Sequence, residues 1–191
     1  MATEVSICSN ACLMLGAETF ASFNDDLPRA SLAANLFPQL RPAVLRANNW
    51  NCATKRLLLA PDIAAPPFDY SMQFSLPSDW LRTIRVGEYG RELDHKPEGR
   101  KILCDTNPLP IVFVFDNTNV GSWDAMLVHS MSLTMAAAMA YAITKSTSLG
   151  EAKLNEALAF MAASRGVDGQ DAPAETLGDF RLFMSRKISR V

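Results

Sequence analysis

Residues 122–145 read SWDAMLVHSMSLTMAAAMAYAITK, and most of what can be inferred about the architecture starts there. Residues 125–143 are nearly all apolar or small and carry no formal charge, a length that could cross a bilayer. Yet His129, Ser130, Ser132 and Thr134 interrupt the run, alanine adds little to insertion, and the flanking Asp124 and Lys145 give no orientation signal. The pattern predicts a helix packed on most of its sides, with no membrane span. Ser122 is its expected N-cap. At ~1.5 Å per residue this helix would be roughly 35 Å long.

On the C-terminal side, a short break at Ser146, Thr147 and Ser148 leads to another helix through about Arg165, with Leu154, Ala157, Leu158 and Met161 as its apolar stripe. So short a connection makes the two helices antiparallel neighbours. On the N-terminal side, prolines and glycines punctuate strand-like runs at residues 70–76, 81–88, 101–105 and 111–115. Gly87, Glu88, Tyr89 and Gly90 read as a hairpin tip, and Pro97, Glu98 and Gly99 as another turn. These runs predict one small antiparallel sheet of about four strands, inserted between helices.

Two helices are expected ahead of that sheet. Residues 3–15 begin with Thr3 as N-cap and Glu4 at the positive helix start, and Gly16 can close the end. Val5, Cys8, Cys12 and Leu15 share one face. After a polar turn at residues 22–26, residues 28–47 start with Pro28 in the first turn and carry Ala30, Ala33, Ala34, Phe37, Leu40, Val44 and Leu45 on one side. Pro38 and Pro42 cannot donate backbone hydrogen bonds, so this helix should be kinked or split. The fold class is α+β: a mainly α-helical bundle (residues 1–49 and 122–169), a small antiparallel β lobe inserted at 50–121, and a linker with an extended C-terminal segment at 170–191.

The composition is that of a globular protein, 49% hydrophobic and 20% charged over 191 residues. Eighteen basic against 20 acidic residues leave a net charge of −2, which gives no concentrated basic face for gripping nucleic acid. Met1, Ala2, Thr3 and Glu4 lack a secretory start, so the expected site of folding is the cytoplasm, with Cys8, Cys12, Cys52 and Cys104 as reduced thiols.

Groups that could converge for chemistry are few. His129 lies in the apolar helix, where a satisfied buried or interface histidine is the commoner role than a general base. Cys8 and Cys12 sit one helical turn apart, but no second close Cys/His pair exists to complete a zinc site, so they read as small buried hydrophobes. Asp25 and Asp26 lack the rest of a calcium loop, and Gly87 and Gly90 lack the helix and lysine of a phosphate loop. No catalytic, cofactor or metal residue is therefore assigned. A small enzyme remains a rival reading, with His95, Asp94 and Glu92 converging in a cleft, and a DNA-binding module is another.

Residues 166–178 are polar, acidic and rich in small side chains, as a linker would be. Leu177, Phe180, Met184 and Ile188 then recur at helical spacing beside Arg181, Arg186, Lys187 and Arg190. An amphipathic segment of this kind fits a hydrophobic groove, or it folds back on its own domain; binding to an anionic membrane is the weaker third reading, since the helix is short and has only four basic residues.

The order of these pieces resembles a known family. Ile7 to Ala17 is similar to the opening helix of the head-to-tail adaptors of short-tailed phages called tail tubular protein A, which have relatives in long-tailed phages. The segment from Leu45 through Trp50, Asn51, Cys52, Ala53, Thr54, Lys55 and Arg56 to Leu59 and Ala60 resembles the family's leucine, tryptophan, alanine, basic pair, leucine-alanine run. Leu76, Pro77, Ser78, Asp79, Trp80, Leu81 and Arg82 resemble the start of its sheet, and Asp168, Gly169, Gln170 and Asp171 follow the two later helices. The resemblance lies in order and spacing across residues 3–171, with no single specific motif, and the tail after Gln170 departs from it.

It implies a non-enzymatic virion protein, made in the host cytoplasm and placed at the head–tail junction. It further implies a ring of about twelve copies between the portal protein and the tail tube or nozzle protein, with DNA passing through the lumen without specific binding and no cofactor. On that expectation Met131, Met135 and Met139 line a subunit interface, so that Met135→Asp would abolish assembly. Phe180, Phe183, Met184, Arg186, Lys187 and Arg190 would dock on the portal.

Overall fold

A computed structural model describes residues 1–168 and is mixed helix and antiparallel sheet, an α+β chain. It divides into two compact units. The first comprises Met1–Lys55, Asp79–Arg82 and Val114–Asp168; the second comprises Arg56–Ser78 and Thr83–Phe113. The sequence-based boundaries at 50 and 121 therefore move inward. Trp50 is buried in the first unit with its indole Nε1 donating to the Val44 carbonyl at 3.2 Å, so the chain leaves that unit later than expected.

In the first unit, α1 (Glu4–Met14) is opened by Thr3, whose hydroxyl accepts from the Ser6 amide at 3.1 Å while the Ser6 hydroxyl accepts from the Thr3 amide. Its end is a Schellman turn. Gly16 takes φ +70°, Ala17 N–H bonds to the Cys12 carbonyl, and Gly16 N–H bonds to Leu13. The buried face is broader than the spacing indicates: Ile7 and Ala11 join Cys8, Cys12 and Leu15, while Val5 is half-buried.

Helix α2 (Pro28–Ala47) runs through both internal prolines without splitting. Pro38 is exposed, so the carbonyl it orphans one turn earlier faces a side where water can take the place of the lost amide.

Helix α3 (Ala125–Thr144) begins at Asp124, whose carboxylate accepts from the Met126 amide at 2.7 Å. Ser122 is not the cap. It lies in a short 3-10 turn and spends its hydroxyl on the Asn119 carbonyl at 2.8 Å. Among the described residues α3 is the one helix long and apolar enough to cross a membrane, but α1, α2 and α4 (Thr147–Asp168) all pack on it. Its hydroxyls are compatible with burial because Ser132 and Thr134 donate to carbonyls one turn back, Val128 and Ser130. Gly150 in α4 lets the last two helices approach closely, since a Cβ there would sit 3.4 Å from that of Ala140.

The chain's return to the helices is held within this unit by polar contacts of low exposure. Arg41 of α2 grips Asp116 through Nε and Nη2 at 2.7 and 2.9 Å. That pairing, more than burial opposes it, raises the Arg41 guanidinium above its ordinary pKa. Buried Asn117 donates to the Cys52 carbonyl at 2.7 Å and to Ser122, and its own carbonyl receives the Trp123 indole N–H at 3.1 Å. Trp123 stacks on Phe37, with ring centroids 6.2 Å apart.

The strands are β1 (Thr54–Leu59), β2 (Met72–Ser75), β3 (Trp80–Glu88), β4 (Arg91–Glu92), β5 (Lys96–Glu98), β6 (Lys101–Cys104) and β7 (Leu109–Phe115). They form two sheets, not one: β1-β7-β3-β4 and β2-β6-β5. β1 was missed because TKRLLL shows no alternation; its middle residues are exposed on both faces. Pro97 belongs to β5, opposite Ile102, and the turn itself is at Gly99. The β3–β4 hairpin turns at Tyr89 and Gly90 as expected, and Gly87 is required there: at φ +109°, a Cβ would lie 2.4 Å from the Arg91 carbonyl oxygen.

In the second unit, Lys101 at 3.0 Å and the Ser75 hydroxyl at 2.9 Å hold the Asp62 carboxyl below the usual carboxylate pKa.

Two substitutions to alanine in the first unit should have opposite signs. Asn117→Ala orphans buried groups and should cost about 1–3 kcal/mol, whereas Ser130→Ala removes a buried hydroxyl without a partner and should gain about 1 kcal/mol. Urea unfolding of both variants checks this, and a destabilised Ser130→Ala would show that the hydroxyl has a partner. Because the folded pKa of Asp62 is lowered, its contribution is present above about pH 4 and disappears as pH falls through the lowered value. Asp62→Asn should therefore lose less stability on acidification than the parent, measured by urea midpoints at neutral and acid pH.

Candidate functional site

The residues that could have carried chemistry do not gather. Glu92, at the end of β4, and Asp94, on the segment joining β4 to β5, are exposed, and the His95 ring contacts the carbonyl of Leu93, two residues back, at 2.8 Å. His129 packs edge-on against Phe160, 4.6 Å between centroids, in the α3–α4 contact. Asp25 accepts from the Ala21 and Ser22 amides at 2.8 and 3.1 Å, which makes it a turn staple ahead of α2. Cys8 and Cys12 are fully buried. Burial, then the neighbouring Cys12 and Glu4, pushes the Cys8 thiol up to about 12, which keeps it protonated at neutral pH. Among the described residues no three His, Cys, Asp or Glu side chains are grouped to hold a metal ion.

One expectation needs correcting. Met131, Met135 and Met139 are each 0% exposed, enclosed by the helices of their own unit, and so have no surface to offer a neighbouring subunit. A helix covered on most sides and a helix lying in an interface require the same apolar residues, and the spacing could not separate them. Among the described residues, the large apolar side chains that do face outward in this unit are Met1, Leu13, Tyr141, Leu154 and Leu158. Leu154 and Leu158 were expected in the core of α4, but Ala157 and Ser164 are the buried positions, with Phe160 and Met161 half-buried. The expected portal-docking residues Phe180, Phe183, Met184, Arg186, Lys187 and Arg190 lie outside the described residues.

The second unit contains an open concavity of about 310 Å³ on the four-stranded sheet. β1 contributes Arg56, Leu57 and Leu58, β7 contributes Pro110 and Val112, and β3 leads into Arg85 and Tyr89. Leu57 and Leu58 are 43% and 64% exposed, an unusual cost for a strand unless something covers them. Arg85 lies over the Tyr89 ring at 5.5 Å, and its Nε is shielded from solvent with no hydrogen-bond partner. Neither Arg56 nor Arg85 has a carboxylate within ion-pair distance among the described residues. Nothing in the sequence singled out this site, because its two arginines are 29 positions apart and meet only through the sheet order β1-β7-β3. A hollow lined by apolar strand residues, two arginines without ion-pair partners among the described residues and the Glu88 carboxylate suits contact with another chain.

The chain matches no known protein-family model and no curated protein.

The corrected position of the methionines has a measurable consequence. Met135→Asp should destabilise the subunit by about 3 kcal/mol or more, as an unpaired charge in a closed core, while Leu158→Asp should change stability by less than about 1 kcal/mol. Thermal unfolding of the two variants tests this; a well-folded Met135→Asp subunit would place Met135 at a surface after all.

Proposed function

We propose that this chain is a structural virion protein: a ring-forming head-to-tail adaptor that joins the portal to the tail and leaves a passage for DNA. The observation that carries the reading is the ordered set of local patterns across residues 3–171. Three of them fall on structural joints among the described residues. The first becomes α1 and its Gly16 turn, the tryptophan segment leads out of the helical unit into β1, and Leu76 to Arg82 leads into β3. In this reading the helical unit is a bundle, the strands are a lobe inserted in it, and about twelve copies close a ring at the head–tail junction.

The surfaces fit a protein that works by contact. A cyclic ring needs two different, complementary faces on each copy. Leu154 and Leu158, one turn apart on the outside of α4, supply apolar area for one, replacing the methionines of α3 in that role. The C-terminal segment around Phe180 to Arg190 reaches for the portal, and the balanced charge of the chain lets DNA pass without being held.

Native mass spectrometry and negative-stain imaging of the purified protein, alone and mixed with portal, should show closed rings. Monomers under both conditions would reject the adaptor reading. Deleting residues 177–191 should leave the fold intact and stop heads from joining tails; unchanged attachment of the truncated protein would reject the docking role of that segment.

A further inference from the structure

The concavity on β1 is unexplained by the helical contacts of a ring, and its chemistry is specific. β1 is the edge of the β1-β7-β3-β4 sheet, so its outer backbone edge has no strand partner among the described residues. An edge strand that also exposes two leucines invites another strand, unless it is covered. Beside it stand two arginines with no carboxylate at ion-pair distance among the described residues, one of them with a buried, unbonded Nε. The missing partner is therefore extended, apolar in part and acidic.

This chain itself contains such a segment. Residues 168–180 carry Asp168, Asp171, Glu175 and Asp179 and no lysine or arginine. In an extended chain alternate side chains share a face, so Asp171, Glu175, Leu177 and Asp179 would lie together. Pro173 cannot donate to a ladder, which leaves residues 174–180 as the part able to pair.

We infer that β1, with Arg56 and Arg85, is an acceptor site for residues 174–180 of a second copy, laid in extended form along β1 and over the hollow so that Glu175 and Asp179 face the arginines lining it. The choice of a second copy rests on the ring reading: donor segment and acceptor edge are different surfaces of each chain, so copies joined this way run head to tail and can close. Arginine–carboxylate pairing supplies register and the leucines supply covered area.

Charge exchange tests the pairing in the full chain, with circular dichroism confirming the fold of each variant. Association is read by analytical ultracentrifugation. R56E/R85E should associate at least about tenfold more weakly than the parent, and so should E175K/D179K. Joining all four substitutions in one chain should restore association. If the parent assembles and R56E/R85E assembles equally well, the strand exchange is wrong while the ring reading stands. If both pairs weaken assembly but the fourfold variant does not recover, the two sites do not meet and the inference falls. A parent that stays monomeric at every concentration, alone and with portal, removes the ring reading and this inference with it.

Discussion

The structure is organised by the need to cover α3. Twenty consecutive residues without a formal charge cannot be buried by one antiparallel neighbour, because α4 shields a single side. The remaining cover comes from α1 and α2, which precede the strands in sequence. The chain must therefore leave the helices, build its strands and come back to the same helical unit. That return is where the low-exposure polar contacts collect: Arg41 with Asp116, Asn117 with Cys52 and Ser122, and Trp123 with both Asn117 and Phe37. Each ties a residue before the strands to one after them or fixes the turn into α3. Directional bonds suit this task, since apolar packing alone would tolerate slippage of the re-entering chain.

Much of this was legible in the sequence wherever local chemistry determines it. Thr3 and Gly16 delimit α1 because caps act over three or four residues, and the Tyr89–Gly90 hairpin follows from its glycines. What was not legible depends on long-range competition. Ser122 and Asp124 are both good N-caps; Asp124 prevails because Ser122 is engaged by Asn117 and Asn119 in the preceding turn. In α4, Leu154 and Leu158 carry the stronger hydrophobic signal, yet the face with Gly150 and Ala157 is the one turned to α3, where small side chains permit close approach. The separation of strands into two sheets is likewise invisible locally, because β2, β5 and β6 have the same composition whether or not they pair with β3.

The candidate site illustrates the same limit from the other side. Arg56 and Arg85 come to line one hollow only when β7 is laid between β1 and β3, and no spacing rule for motifs spans such an arrangement. A search for catalytic patterns draws attention instead to His95 and Asp94, which the chain places on an exposed connection. Exposed leucines on an edge strand and cations without partners are features of composition only after pairing is known.

Considered together, the surfaces separate two kinds of polar residue. Those at the return to the helices are satisfied by this chain: Arg41 has its carboxylate and Asn117 has acceptors on two segments. Among the described residues, those on the β1 concavity are not, although Glu88 lines the same hollow as Arg85. An arginine kept over an aromatic ring with its Nε unbonded, beside leucines that could have been polar at no cost to the strand, costs stability in the isolated subunit. Under the proposed pairing, such a cost would be recovered when a second copy brings a carboxylate and covers the leucines. Among the described residues, the subunit's own interactions thus account for its helical core, while the β1 edge is left without a strand partner.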